Sequence, residues 1–80
     1  MYIAVMSVKN DLRRLRFEAD EITQQQLADA AGVSRQTIVA IERGNYNPSV
    51  ELALRLAAIL GTTVERIFQL GEPPAKGRTK

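Results

Sequence analysis

From Leu12 onward, apolar residues recur at helical spacing in five runs separated by turn-forming residues. The first run predicts a helix from about Val8 or Asn10 to Ala19, capped by Asn10, with Leu12, Leu15 and Phe17 turned inward. Asp20 and Glu21 break it, and Ile22 returns the chain to the core. Thr23 is placed to cap a second helix whose apolar positions are Leu27, Ala28 and Ala31. Gly32 supplies the positive φ that a helix-ending turn needs, and Val33 tucks inward. Ser34 then offers its hydroxyl to the first amides of a third helix that buries Ile38 and Ile41. The cluster Gly44-Asn45-Tyr46-Asn47-Pro48 ends that helix. Ser49 caps a fourth, Val50–Leu60, with Leu52, Leu56, Ile59 and Leu60 on one face and Glu51 in the first turn. Gly61 stops it, Thr63 caps a short fifth helix, and Val64, Ile67 and Phe68 close the core.

One consequence of this pattern is chemical. Burying Ile38 and Ile41 turns Arg35, Gln36 and Thr37 outward at the start of the third helix. Together they carry donors, acceptors and a methyl group, the equipment for reading base edges in a major groove. A pair of short helices joined by a tight turn, the second presenting such a surface, predicts a helix-turn-helix with double-stranded DNA as its partner.

Composition removes rival readings. Eighty residues make one domain, near the lower limit for a core without disulfides. There is no Cys and no His, so disulfides, most nucleophile–base pairs and nearly all transition-metal sites are unavailable. No catalytic residue, metal ligand, cofactor or small-molecule site is expected. The apolar start Met1–Met6 is too short for a secretory signal, and no run approaches the length of a membrane span, so a cytoplasmic protein is expected. The net charge of +2 is largely a property of the tail. Three of eleven basic residues (Lys76, Arg78 and Lys80) lie after Pro73, leaving eight against nine acidic ones. Binding must therefore rest on where charges sit, not on their sum.

The run TQQQLADAAGVSRQTIVAIERG (Thr23–Gly44), followed by NYNPSVELALRLAAILGTTVERIF (Asn45–Phe68), resembles the Xre family of helix-turn-helix regulators, the phage repressor and Cro class. The likeness spans Leu12 to Leu70, and it is narrower still to a compact bacterial subgroup that is little more than a DNA-binding domain. It implies an all-α, five-helix, lambda-repressor-like fold and a homodimer that represses transcription from an inverted-repeat operator. Arg35, Gln36, Thr37 and Ala40 fall at the family's base-reading positions, although relatives often carry a longer polar residue in place of Ala40. Gln24, Ser34, Arg43, Asn45 and Tyr46 fall at positions that meet the DNA backbone. An arginine late in the first helix and a glutamate near the end of the third, here Arg16 and Glu42, form a structural ion pair in the family. Arg13 and Arg14 are read as solvated. Here the glycine common between the first two helices is missing, and the connection Ala19–Ile22 is one residue longer than usual.

The apolar start of the chain is rich in strand formers. It reads either as a strand pairing with Phe68-Gln69-Leu70 or as an extension ahead of a start at Met6. In the subgroup resembled, this small β-sheet from the two termini lies near the dimer interface, which implies Tyr2, Ile3, Val5, Phe68 and Leu70 as interface residues. The expected organisation is residues 1–7 as extension or strand, 8–70 as DNA-binding domain and 71–80 as a flexible basic tail. Beside the regulator stands a second function class: an antitoxin or accessory module that uses the same fold to hold a protein. A long C-terminal wrapping segment would mark it, and this tail is only about ten residues.

Overall fold

The computed structural model describes residues 7–71; the expected interface residues Tyr2, Ile3 and Val5 and the basic tail lie outside them. The chain runs β1 (Val8–Asn10), α1 (Leu12–Glu18), α2 (Gln24–Ala31), α3 (Arg35–Glu42), α4 (Val50–Leu60), α5 (Val64–Ile67) and β2 (Phe68–Leu70). Five helices enclose a core whose fully buried members are Leu12, Leu27, Ile38, Ile41, Leu56 and Ile67. Each contributes roughly 1.5–3 kcal/mol by leaving water, and every helix supplies at least one of them.

Local chemistry sets most boundaries. Thr23 accepts a hydrogen bond from the Gln26 amide (3.0 Å), while the Gln26 side chain accepts from the Thr23 amide (2.9 Å), a reciprocal cap for α2. Gly32 ends α2 at φ 76°, and the Val33 amide then reaches the Ala28 carbonyl. Ser34, Ser49 and Thr63 cap α3, α4 and α5 by the same hydroxyl-to-amide bond. Arg55 of α4 pairs with Glu51 one turn back and donates to the Ala31 carbonyl (3.3 Å), so α4 also closes the open end of α2.

The start of the domain departs from expectation in three ways. Val8–Asn10 is a strand, not the first turn of a helix, and it pairs antiparallel with Phe68–Leu70 in the register Val8↔Leu70, Lys9↔Gln69, Asn10↔Phe68. Phe68–Leu70 thus joins a small sheet as expected, but its partner lies after residue 7, and Phe68 opens β2 where it was expected to end the fifth helix. Asp11 stands at the cap position of α1 without a side-chain bond, while Asn10 Oδ1 accepts from the Leu12 amide (3.1 Å). The other end of the Asn10 amide donates to the Ile41 carbonyl (2.8 Å), tying the start of α1 to the end of α3. Finally, Phe17 is 51% exposed, and the inward place on α1 goes to Arg16 at 6%. Residues 12, 15 and 16 share one helical face, whereas 17 lies about 100° round from 16.

Candidate nucleic-acid interface

The reading surface is built by helix phase. With Ile38 and Ile41 buried, Arg35 and Gln36 are exposed at the start of α3, and Thr37 and Ala40 are partly buried beside them. Ser34 fixes where α3 begins: its hydroxyl accepts from the Thr37 amide (3.2 Å) and meets the Thr37 hydroxyl at 3.0 Å. At the far end the Asn45 amide reaches the Ala40 carbonyl (2.9 Å) and Gly44 adopts φ 80°. The chain therefore leaves α3 in a tight turn, with Arg43, Asn45 and Tyr46 all on the surface.

Behind this surface lies the most heavily bonded cluster in the domain. Arg16 Nε and a terminal nitrogen grip both oxygens of Glu42, at 2.6 and 3.1 Å, with each side chain 7% exposed. The third Arg16 nitrogen donates to the Ile22 carbonyl (2.8 Å). The pair is bidentate and each of the three Arg16 nitrogens has a hydrogen-bond partner, the kind of arrangement in which a buried ion pair is tolerated. It bolts α1 to α3 and draws in the loop that leads to α2.

Gln24, the first residue of α2, connects this cluster to the surface. Its Nε2 donates to Glu42 Oε1 (3.1 Å), and its Oε1 accepts from Arg35 (3.3 Å). The carboxylate accepts only, so it dictates which end of the Gln24 amide faces Arg35. A chain of contacts thus runs from Arg16 through Glu42 and Gln24 to the guanidinium at the head of α3. Sequence reasoning set Gln24 on the surface and missed this bridge; the residue is partly buried. The bond from Asn10, expected only as a cap, to the Ile41 carbonyl is likewise not legible in the sequence, because the two residues are 31 positions apart.

The arrangement offers fixed donors at one helix end, cations around it and no exposed carboxylate on the reading surface itself, since Glu42 is spent on Arg16. Among the described residues no group of three or more carboxylates could hold a metal ion, and no helix is long and apolar enough to cross a membrane.

Comparison with known proteins agrees with this geometry. A family model described as helix-turn-helix matches residues 12–67. The chain is 48% identical over 61 residues to the HTH-type transcriptional regulator MJ0272 of Methanocaldococcus jannaschii, covering 76% of this chain and 91% of that protein. It is 39% identical to the immunity repressor protein of Bacillus phage phi105, over 78% of this chain and 42% of the phage protein. Among solved structures, the clp gene regulator ClgR of Corynebacterium glutamicum superposes with a TM-score of 0.62 at 34% identity, covering 66% of this chain and 55% of ClgR.

Proposed function

Since the chain belongs to the helix-turn-helix family of transcriptional regulators, a non-enzymatic class that acts on DNA, we propose that it binds an inverted-repeat operator as a homodimer and represses transcription by occluding the site. The observation that carries this reading is the head of α3, where Arg35 and Gln36 stand clear of the core on a helix braced from behind by Gln24 and the Arg16–Glu42 pair. A braced donor loses little freedom on binding, which converts contact into affinity.

Arg35 has the reach and fork to address guanine O6 and N7, and Gln36 can address adenine. The methyl groups of Thr37 and Ala40 suit a thymine methyl. Ser34, Arg43, Asn45 and Tyr46 sit at the two ends of α3, where the strands flanking a major groove pass, and are assigned to phosphates together with the first turn of α2 at Gln24. Two-fold pairing is supported by apolar surface left open at the domain edge: Leu70 is 65% exposed, and Phe68 beside it is only partly buried. Selection of bound sites from random duplex DNA tests the whole reading. The expected product is an inverted repeat with half-site centres about one helical turn, or a multiple of it, apart. Enrichment of no sequence, or of a single unrepeated site, would overturn it.

A further inference from the structure

Between α1 and α3 runs an open cleft of about 470 Å³ beside the reading surface, with Arg13 and Phe17 on its α1 wall and Arg35, Val39 and Arg43 on its α3 wall. Three arginines of the domain are neutralised by a neighbouring carboxylate. Arg14 faces Asp11 at 3.1 Å and Glu18 at 3.6 Å, Arg55 pairs with Glu51, and Arg16 with Glu42. Among the described residues, Lys9, Arg13, Arg35, Arg43 and Arg66 have no carboxylate within ion-pair distance, and three of these five, Arg13, Arg35 and Arg43, converge on the cleft. The acid that does line it, Glu42, is already neutralised and 7% exposed on its side chain. Phe17 explains itself in the same place. Phe17 is half-exposed on a charged helix face and lies outside the hydrophobic core, yet the Arg13 guanidinium lies 5.8 Å from its centroid and that of Arg16 lies 5.4 Å away. Both are within cation–π range, so the ring holds Arg13 against the cleft wall instead of leaving it to sweep through solvent.

From this we infer that Arg13, positioned by Phe17 and facing Arg43 across the cleft, binds a phosphodiester of the DNA backbone, so that α1 is part of the nucleic-acid interface. This departs from the expectation that Arg13 and Arg14 are both solvated: Arg14 is paired on its own helix, and Arg13 is kept for a ligand. The ligand class follows from the site. Two or three unpaired guanidiniums around a shallow open cleft call for a doubly coordinated anion on a large, flat partner. A duplex that admits α3 to its major groove carries its phosphate strand past the cleft mouth, because Arg35 and Arg43 belong to both surfaces. The inference rests on the DNA-binding reading, and it adds residues that base recognition does not require.

The test compares Arg13→Gln, Phe17→Leu and the control Arg14→Gln with the unaltered full chain, titrating both a selected operator and unrelated duplex DNA over a range of salt. Arg13→Gln is expected to weaken both DNAs by the same factor, roughly tenfold at low salt, and to reduce the slope of log affinity against log salt by about 0.9. Phe17→Leu is expected to give a smaller loss of the same sequence-independent kind with an unchanged melting temperature, and Arg14→Gln no change. Inorganic phosphate at millimolar concentration should compete no better than its ionic strength explains, since a backbone site needs the neighbouring contacts as well. If the unaltered chain binds operator tightly and Arg13→Gln behaves like Arg14→Gln, the α1 contact is wrong while DNA recognition stands. A loss confined to the operator would make Arg13 a base contact and overturn the assignment too. If the unaltered chain binds no DNA, the functional reading itself falls, and this inference with it.

Discussion

At the scale of single residues, the same amino acid does three different jobs according to what faces it. Arg16 is enclosed by Glu42 and the Ile22 carbonyl and serves the fold; Arg55 closes the end of α2; Arg35 is exposed and held only by Gln24. These roles separate under mutation. On the proposed base contact, Arg35→Ala removes a fork worth roughly 1–3 kcal/mol of base discrimination. It should relax preference at one base pair per half-site and leave the melting temperature almost unchanged. Equal losses on operator and random DNA would reassign it to the backbone. Removing either member of the Arg16–Glu42 pair strands a charge in a poorly hydrated place, at a cost of roughly 3–5 kcal/mol, from a domain that holds only about 5–15 kcal/mol in total. Glu42→Gln and Arg16→Met should each melt the protein many degrees earlier, and DNA should restore part of the loss by favouring the native state. The double variant Arg16→Met with Glu42→Leu leaves neither charge unpaired and should recover much of the stability. Thermal melts of the two singles and the double decide it, with strictly additive losses as the outcome that breaks the coupling.

Helices and turns explain how much of this was readable beforehand. α4 falls on Val50–Leu60 as its pattern requires, and all four caps from Thr23 to Thr63 close as their hydroxyls allow, because these signals lie within a few residues of what they control. The small sheet is legible in the apolar start of the chain, but the bounds of its first strand are not: Val8–Asn10 is extended because Phe68–Leu70, some sixty residues on, lies beside it. Phe17 was misjudged because apolar periodicity assumes that an inward position takes an apolar residue, and the structure gives that position to an arginine with a waiting glutamate. The candidate site was legible as positions on α3, but its bracing was not, since Gln24 and Glu42 are 18 residues apart. The loop between α1 and α2 yields a further prediction. Lacking glycine, it holds Asp20 and Glu21 at φ 60° and 55°, consecutive left-handed residues. Aspartate tolerates that region through its short polar side chain, and glutamate does so less well. Glu21→Gly should relieve about 1–2 kcal/mol of strain against roughly 0.5–1 kcal/mol of added chain entropy in the unfolded state. The net effect is a melting temperature higher by a few degrees and unchanged DNA affinity. A lower melting temperature would show that the Glu21 side chain contributes something its exposed position conceals.

For the whole molecule, what matters is whether one domain suffices. On the proposed reading, one head places three or four side chains on base edges, each worth roughly 1–3 kcal/mol of discrimination, which leaves a monomer little ability to distinguish its site from a genome of competitors. A two-fold pair doubles those contacts and requires a self-complementary patch away from α3. Two apolar regions are open among the described residues: the β2 end at Leu70, 65% exposed, and a groove along α4 in which Val50 and Leu54 are 77% and 57% exposed. The β2 end is where the family resemblance places the interface. Leu70→Asp should therefore weaken self-association in sedimentation or light scattering at micromolar concentration. It should cut affinity for the inverted repeat while sparing an isolated half-site, since each head is untouched, and the melting temperature of the monomer should hold. Leu54→Asp is the comparison, a charge of the same kind on the α4 wall of the groove that Val8 and Phe68 also line. Dissociation by Leu54→Asp with Leu70→Asp still dimeric would move the interface to α4. A chain that stays monomeric throughout and binds DNA one to one would end the dimer reading, and the regulator would then have to obtain its specificity from a second protein on the same site.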